Sequence, residues 1–235
     1  MALRLSTRIS IRWGDETPSE PTDTVVLSVG SYFMDLRVKK ADGSIDWAFA
    51  GIREIVSQEP LHCRWRHLID SRLSFEPDEG KFQKLLNGDD LETGSMPCTE
   101  KDNKVTPYEE VWRELQPKHG MERGWILQGQ SGDANIFLGQ FGGVYLAMLQ
   151  EKDGSFSALR EDLENFQGRL QWEKKYRSGK ATLPSLKKTD TVFVPGEENW
   201  KVEAEVMIDG QVYHVRALQT CASKNSTGVA RTARW

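Results

Sequence analysis

The sequence predicts a mainly β protein of antiparallel strands, a sandwich or barrel, with one short helix. Three observations predict it. Twenty glycines and nine prolines cut the 235 residues into short segments. Most of those segments alternate apolar and polar side chains with period two rather than 3.6. Late in the chain, Asp209-Gly210 sits between two alternating runs, a strong hairpin signal.

Taken in order, Tyr32 to Val38 places Met34, Leu36 and Val38 on one face and Asp35 and Arg37 on the other. Leu61 to Asp70 repeats the pattern, with Leu61, Cys63, Trp65, His67 and Ile69 opposite His62, Arg64, Arg66 and Asp70. A helix is expected at Thr106-Pro107-Tyr108-Glu109, which offers a cap, a proline at the first helical position and an acid at the third. Val111, Trp112 and Leu115 would be its apolar stripe, and Glu109 and Glu110 its capping and solvated residues. Further strands are expected at Trp125 to Leu127, Asn135 to Phe141 and Val144 to Leu149. Phe156, Leu159, Leu163 and Phe166 also fit a helix, but the alternation of Leu170, Trp172 and Tyr176 favours strand through Ser155 to Gln167. From Lys201 to Ile208, Val202, Ala204, Val206 and Ile208 are expected inward, before Gln211 to Leu218 completes the hairpin. The polar stretch Gln116-Pro117-Lys118-His119-Gly120 is the expected break, giving domains at 1–118 and 119–235, with 221–235 a tail.

Composition excludes several roles. Thirty-one basic residues against 35 acidic ones leave a net charge of −4, the wrong balance for gripping a phosphate backbone, so no nucleic-acid partner is expected. No apolar run approaches the ~20 residues of a spanning helix, and Met1 to Trp13 lacks the apolar region of a secretory signal. A cytoplasmic protein with no membrane partner is therefore expected. Cys63, Cys98 and Cys221 are an odd, widely spaced set without a CxxC pair, pointing to reduced thiols. On that reading the glycosylation acceptor Asn225-Ser226-Thr227 is chance.

A series of elements carries a family resemblance: Ile11-Arg12-Trp13-Gly14-Asp15-Glu16, Asp46-Trp47-Ala48-Phe49-Ala50-Gly51, Cys63-Arg64-Trp65-Arg66-His67, Leu91-Glu92-Thr93-Gly94 and Tyr108-Glu109-Glu110-Val111-Trp112-Arg113. Leu183-Pro184 and Asn199-Trp200-Lys201-Val202 extend it more weakly. The chain resembles the fungal Hri-type family, named for a yeast member that associates with a casein kinase. The resemblance implies two consecutive antiparallel barrels of lipocalin-like topology. It implies no catalytic residue, since the family is known for interaction proteins. Some small lipocalin-like proteins of fungal secondary metabolism act as cofactor-free cyclases, Diels–Alder catalysts among them, which is an analogy of fold.

Standard catalytic motifs are missing. Gly129-Gln130-Ser131-Gly132-Asp133 departs from a nucleophile elbow at its fifth residue and reads as a turn. No phosphate-cradling loop occurs, so no nucleotide cofactor is expected. His62 and His67 point to opposite strand faces and cannot share a metal, so none is expected; Cys63 and His67 are roughly 13 Å apart along an extended chain. What stands out is tryptophan beside arginine. Indole faces and guanidinium donors suit a planar, oxygen-bearing, apolar or polyketide-like ligand. Trp47, Trp65, Trp112 and Arg113 are the candidate binding residues, and His67, Arg66 and Arg64 the candidate catalytic ones, with His67 the acid that expels water from a hydroxylated precursor. Two functions follow: a small-molecule-binding, cofactor-free cyclase, a (hetero-)Diels–Alderase joining a quinone-methide-like diene to an alkene, or a non-catalytic module with a protein partner.

Overall fold

The computed structural model describes residues 3–118, 120–188 and 191–221. Eight strands close a barrel: β1 (Arg4–Trp13), β2 (Thr22–Val29), β3 (Tyr32–Lys39), β4 (Ile45–Gln58), β5 (Leu61–Asp70), β6 (Asp78–Lys84), β7 (Asp90–Cys98) and β8 (Lys104–Glu114). Each is antiparallel to the next, and β8 returns to β1. Seven more make a second antiparallel sheet: β9 (Arg123–Ser131), β10 (Ala134–Phe141), β11 (Val144–Gln150), β12 (Phe156–Phe166), β13 (Arg169–Ser178), β14 (Glu205–Ile208) and β15 (Gln211–Thr220). Its order is β13-β12-β11-β10-β9-β15-β14, with β13 and β14 at the edges. The molecule is thus mainly β, a closed barrel plus a seven-stranded sheet, where the resemblance implies a second barrel. The β14–β15 turn is as the sequence predicts, with Asp209 at φ 50° and Gly210 at φ 77°.

The expected helix at Thr106 is a correction. Those residues lie in β8, paired with β7 on one side and β1 on the other, and among the described residues the helical segments are 3-10 turns at 99–101, 186–188 and 197–199. Two neighbouring ladders satisfy the backbone more fully than one capped turn could. The inward positions of β8 are Thr106, Tyr108, Glu110 and Trp112, all buried, so a strand with a mostly polar inner face mimics a capped helix. Glu110, expected in solvent, is 2 % exposed.

Polarity in the barrel runs opposite to the usual rule. Asp35 and Arg37 point inward, while Met34 and Leu36 point outward into an apolar core shared with the second sheet. That shared core joins Leu5, Val25, Leu27, Ala48, Ala50 and Ile69 of the barrel wall to Ile126, Phe137, Phe141, Leu146 and Met148 of the sheet. The sheet's other face carries its own core, with Trp125, Leu138, Tyr145, Trp172 and Tyr213, covered by Leu183, Leu186 and Val194 from the 181–200 segment.

A bulge between β4 and β5 settles where His67 and Asp70 go. Gly51 pairs with His67 and Ala50 with Ile69, so one extra residue separates the two registers. His67 and Asp70 therefore share the barrel interior, although strict alternation separates them, and Ile69 turns outward to the shared core. Gly51 makes the bulge sterically feasible: a Cβ there would meet the Arg66 carbonyl oxygen at 1.9 Å.

Cys63 and Cys98 are buried thiols and Cys221 a half-buried one, none in a disulfide. No helix among the described residues is long and apolar enough to cross a membrane. His119, Asn225-Ser226-Thr227 and the rest of 222–235 lie outside the described residues.

Candidate ligand-binding site

The inward side chains of the barrel do not fill it. They leave an open-mouthed cavity of about 80 Å³. Five aromatic rings, Phe33, Phe49, Trp65, Phe82 and Trp112, line it together with Arg4, Arg37 and Arg53 and the carboxyl groups of Asp35, Asp78, Asp90 and Glu92. The ladder explains this set. Arg53, Trp65 and Asp78 are successive cross-strand partners on β4, β5 and β6, and Phe82, Glu92 and Glu110 form a second row across β6, β7 and β8.

Arg37 closes the cavity from behind. Its Nε and Nη2 donate to the Asp35 carboxylate, Nη2 at 2.8 Å, and its Nη1 donates to Glu110 at 3.2 Å. The guanidinium carbon lies 5.2 Å from the Trp47 ring centre, 5.5 Å from Phe49 and 5.7 Å from Trp112. Burial works against its charge, but Asp35 and Glu110 outweigh burial and raise its pKa well above the ordinary value. Glu110 takes a second guanidinium, Arg8, at 2.5 Å, and Arg8 also donates to Glu20 and Thr22. Such a network is destabilising to break and rigid while intact.

Below this plug stands His67. Its Nδ1 is 2.7 Å from Asp70 Oδ2, which also accepts the Trp47 indole N–H at 3.0 Å, and its Nε2 is 3.7 Å from Asp78 Oδ1, ion-pair range rather than a hydrogen bond. Burial opposes the charged ring, yet the interactions with Asp70 and Asp78 prevail and hold its pKa at about 9. His67 is an imidazolium near neutrality.

The sequence-predicted residues are thus divided. Trp65 and Trp112 line the cavity. Trp47 and His67 are buried one layer behind, with the His67 ring 4.3 Å from that of Phe49. Arg64, Arg66 and Arg113 are on the outer wall: Arg64 bonds Glu79 at 2.5 Å, Arg113 clasps Asp89 through Nε and Nη2, and Arg66 is exposed. Arg37, Arg53 and Asp78, which do line the cavity, carried no motif, and Glu92, which also lines it, lay in an element that carried only the family resemblance. For Arg37 the signal was position, as a polar residue alternating with Met34, Leu36 and Val38 on the strand's other face.

Three lining donors, Arg4 Nε, Arg53 Nε and Trp112 Nε1, and one lining acceptor, Asp78 Oδ1, are buried without a hydrogen-bond partner, Arg4 Nε lying 3.3 Å from Glu114 Oε2 in an ion pair. Arg53 is in no ion pair among the described residues. Burial, the larger effect, and nearby Arg4 lower the Arg53 pKa. Among the described residues no group of three or more His, Cys, Asp or Glu side chains could hold a metal.

A family model described as Protein HRI1 matches residues 4–215. Among solved structures, the crystal structure of the uncharacterized protein YLR301w from Saccharomyces cerevisiae superposes with a TM-score of 0.72 at 16 % identity, covering 92 % of this chain and 99 % of that one. At that identity the likeness shows the fold alone. No curated protein matches in sequence.

Proposed function

The chain belongs to the Protein HRI1 family, and from that premise we propose that its barrel is a binding site for a planar, oxygen-bearing apolar molecule. One observation carries this: an open cavity of about 80 Å³ walled by five aromatic rings and Arg53, with the buried donors Arg53 Nε and Trp112 Nε1 left without an acceptor among the residues that line it. Buried donors without partners cost stability unless something satisfies them. A flat ligand with oxygen at its edge would do so while its faces pack on indole and phenyl rings.

The reaction class that fits such a site is a cofactor-free cyclisation, a (hetero-)Diels–Alder addition of a quinone-methide-like diene to an alkene. Bringing two partners into a near-attack pose supplies ~7–11 kcal/mol of effective-molarity advantage without a nucleophile or metal. In this reading His67 is a positioning residue. It balances Asp70 and Asp78 from behind the wall, while the wall itself orients the diene. The alternative of a protein-interaction module rests on Met207 and Val212, cross-strand partners on the β14–β15 edge hairpin that are 70 % and 45 % exposed.

The test is a tryptophan-fluorescence titration with naphthoquinones and flavones, in the wild type and in Ser28→Phe, which fills the cavity. Saturable quenching that Ser28→Phe abolishes is expected. Quenching equal in both proteins overturns the cavity as the site. For the reaction, product yield and stereochemistry from a quinone-methide precursor and an alkene should exceed background only in the wild type. Equal yield in Ser28→Phe leaves binding without catalysis.

A further inference from the structure

Glu92 and Glu110 face one another directly across the β7–β8 ladder, both inside the barrel. Like charges opposed in a sheet repel, and out of water two adjacent carboxylates are not both ionised. Their partners differ. Glu110 accepts from two guanidinium groups, Arg8 and Arg37, whereas Glu92 accepts a neutral donor, the Tyr108 hydroxyl at 2.9 Å. The remaining groups nearby do not redress this. Asp78 on β6 adds negative charge, Arg37 is shared with Asp35, and Arg4 of β1 is bound to Asp90 at 2.6 Å. The Cys63 thiol of β5 is itself pushed up by burial. Burial first, then Glu110, raise the Glu92 pKa well above the carboxylate range. The proton belongs on Glu92.

The surroundings are shaped for this pair. A Cβ on Gly80 would come within 2.4 Å of Glu92 Oε1, and one on Gly94 within 2.5 Å of Tyr108 Oη. Two glycines on neighbouring strands thus clear the space that Glu92 and Tyr108 occupy. Trp112, two residues beyond Glu110 on the same face, pairs with Asp90 and is the diagonal neighbour of Glu92. Its Nε1 is buried without an acceptor, and both residues open on the same cavity.

We infer that the Glu92 carboxyl O–H and the Trp112 Nε1–H form a two-donor site for the oxygen of a conjugated carbonyl, so that the cavity's ligand class is a planar ketone or enone. The inference rests on the reading of the cavity as a site for planar molecules. Two donors shared by one oxygen would stabilise negative charge gathering there, which polarises the conjugated system and makes its far carbon more electrophilic. No covalent step is required of the protein.

Binding of 2-acetylnaphthalene is compared with that of 2-ethylnaphthalene, which matches it in shape but lacks the carbonyl. At about 1 kcal/mol per neutral hydrogen bond, the wild type should prefer the ketone by roughly tenfold or more. Glu92→Leu and Trp112→Phe should each cut that preference about fivefold. The infrared spectrum of the wild type gives a check that no variant has to survive. A neutral carboxylic acid carbonyl band is expected at pH 7, shifting when the ketone binds and not when the hydrocarbon does, and missing from Glu92→Leu. Absence of that band from the wild type overturns the inference. Equal binding of ketone and hydrocarbon overturns it while leaving the cavity reading intact. Binding of neither removes both.

Discussion

Where the barrel encloses Arg8, Arg37, Asp35, Glu92 and Glu110, the second sheet folds over Trp125, Leu138, Tyr145 and Trp172. The two interiors are built from strands of the same kind, yet one is a charged network around a cavity and the other an apolar core. In the second sheet, burial itself supplies stability, at ~25 cal/mol per Å² of apolar surface removed from water. In the barrel, most of the apolar contribution comes from the outer wall, where Met34 and Leu36 join Phe137 and Leu146 in one core, beside a small inner cluster of Phe33, Trp47 and Phe49. The inside of the barrel thereby carries less of the apolar burial, and the residues that line its cavity are available for recognition.

The largest test of this contrast is Trp125→Ala. It removes a fully buried indole and takes from the Glu197 carboxyl one of its two donors, the indole N–H at 3.1 Å, leaving the Val194 backbone N–H. Denaturant unfolding should show a loss of about 4–5 kcal/mol. A loss below about 1 kcal/mol would mean that the second core is as forgiving as a surface. Next comes Arg37→Met, which leaves Asp35 and Glu110 buried without their shared guanidinium and should cost about 3–4 kcal/mol. Adding Asp35→Asn and Glu110→Gln should restore much of that. If it does not, Arg37 acts through packing on Trp47 and Trp112 rather than through charge.

How much of this was legible in the sequence depends on which interior is considered. Asn135 to Phe141 and Val144 to Leu149 read as strands from their short apolar runs, and both faces of each are buried between the two cores. In the barrel, alternation gave the strands but not which face turns inward. Asp35 and Arg37 look like the solvent side of an ordinary strand, and only closure into a ring turns them in. Tyr108 and Glu110 were assigned to a helix for the same reason. Asp70 was placed away from His67 because a bulge leaves no trace in periodicity. Trp65 and Trp112 were found because aromatic residues in strands are conspicuous by type. Arg64, Arg66 and Arg113 were chosen as neighbours in sequence, and neighbours in a strand face opposite ways.

The pH dependence sharpens the comparison at smaller amplitude. His67 has a folded-state pKa of about 9 against roughly 6.5 for the unfolded chain, so folding favours its protonated form. That contribution is fully present below pH ~6.5 and is lost as pH rises through 9, by no more than about 3 kcal/mol. Glu92, also raised, acts in the same direction. Thermal unfolding between pH 6 and 9.5 should therefore show falling stability, with His67→Gln flattening part of the fall. A wild-type profile flat over this range would show that the barrel's charges do not contribute as drawn. Smallest of all is Arg66→Ala on the outer wall, expected to stay within about 0.5 kcal/mol of wild type with ligand binding unchanged. A clear drop in binding would return the outer arginines to the site.

The apolar flank shared by the two halves also bears on how the chain is made. Leu27, Met34, Leu36 and Ala50 leave the ribosome well before the Phe137 and Leu146 that cover them. At ~5–20 residues per second, the stretch from β9 to β15 takes roughly 5–20 s to synthesise. Throughout that interval a barrel already able to close would carry a bare, greasy side into a crowded cell. Ribosomes stalled some forty codons beyond Leu115 should accordingly hold nascent chains that cross-link to chaperones, and the released full-length chain should not. Equal cross-linking of both would mean that the second sheet does not shield this flank.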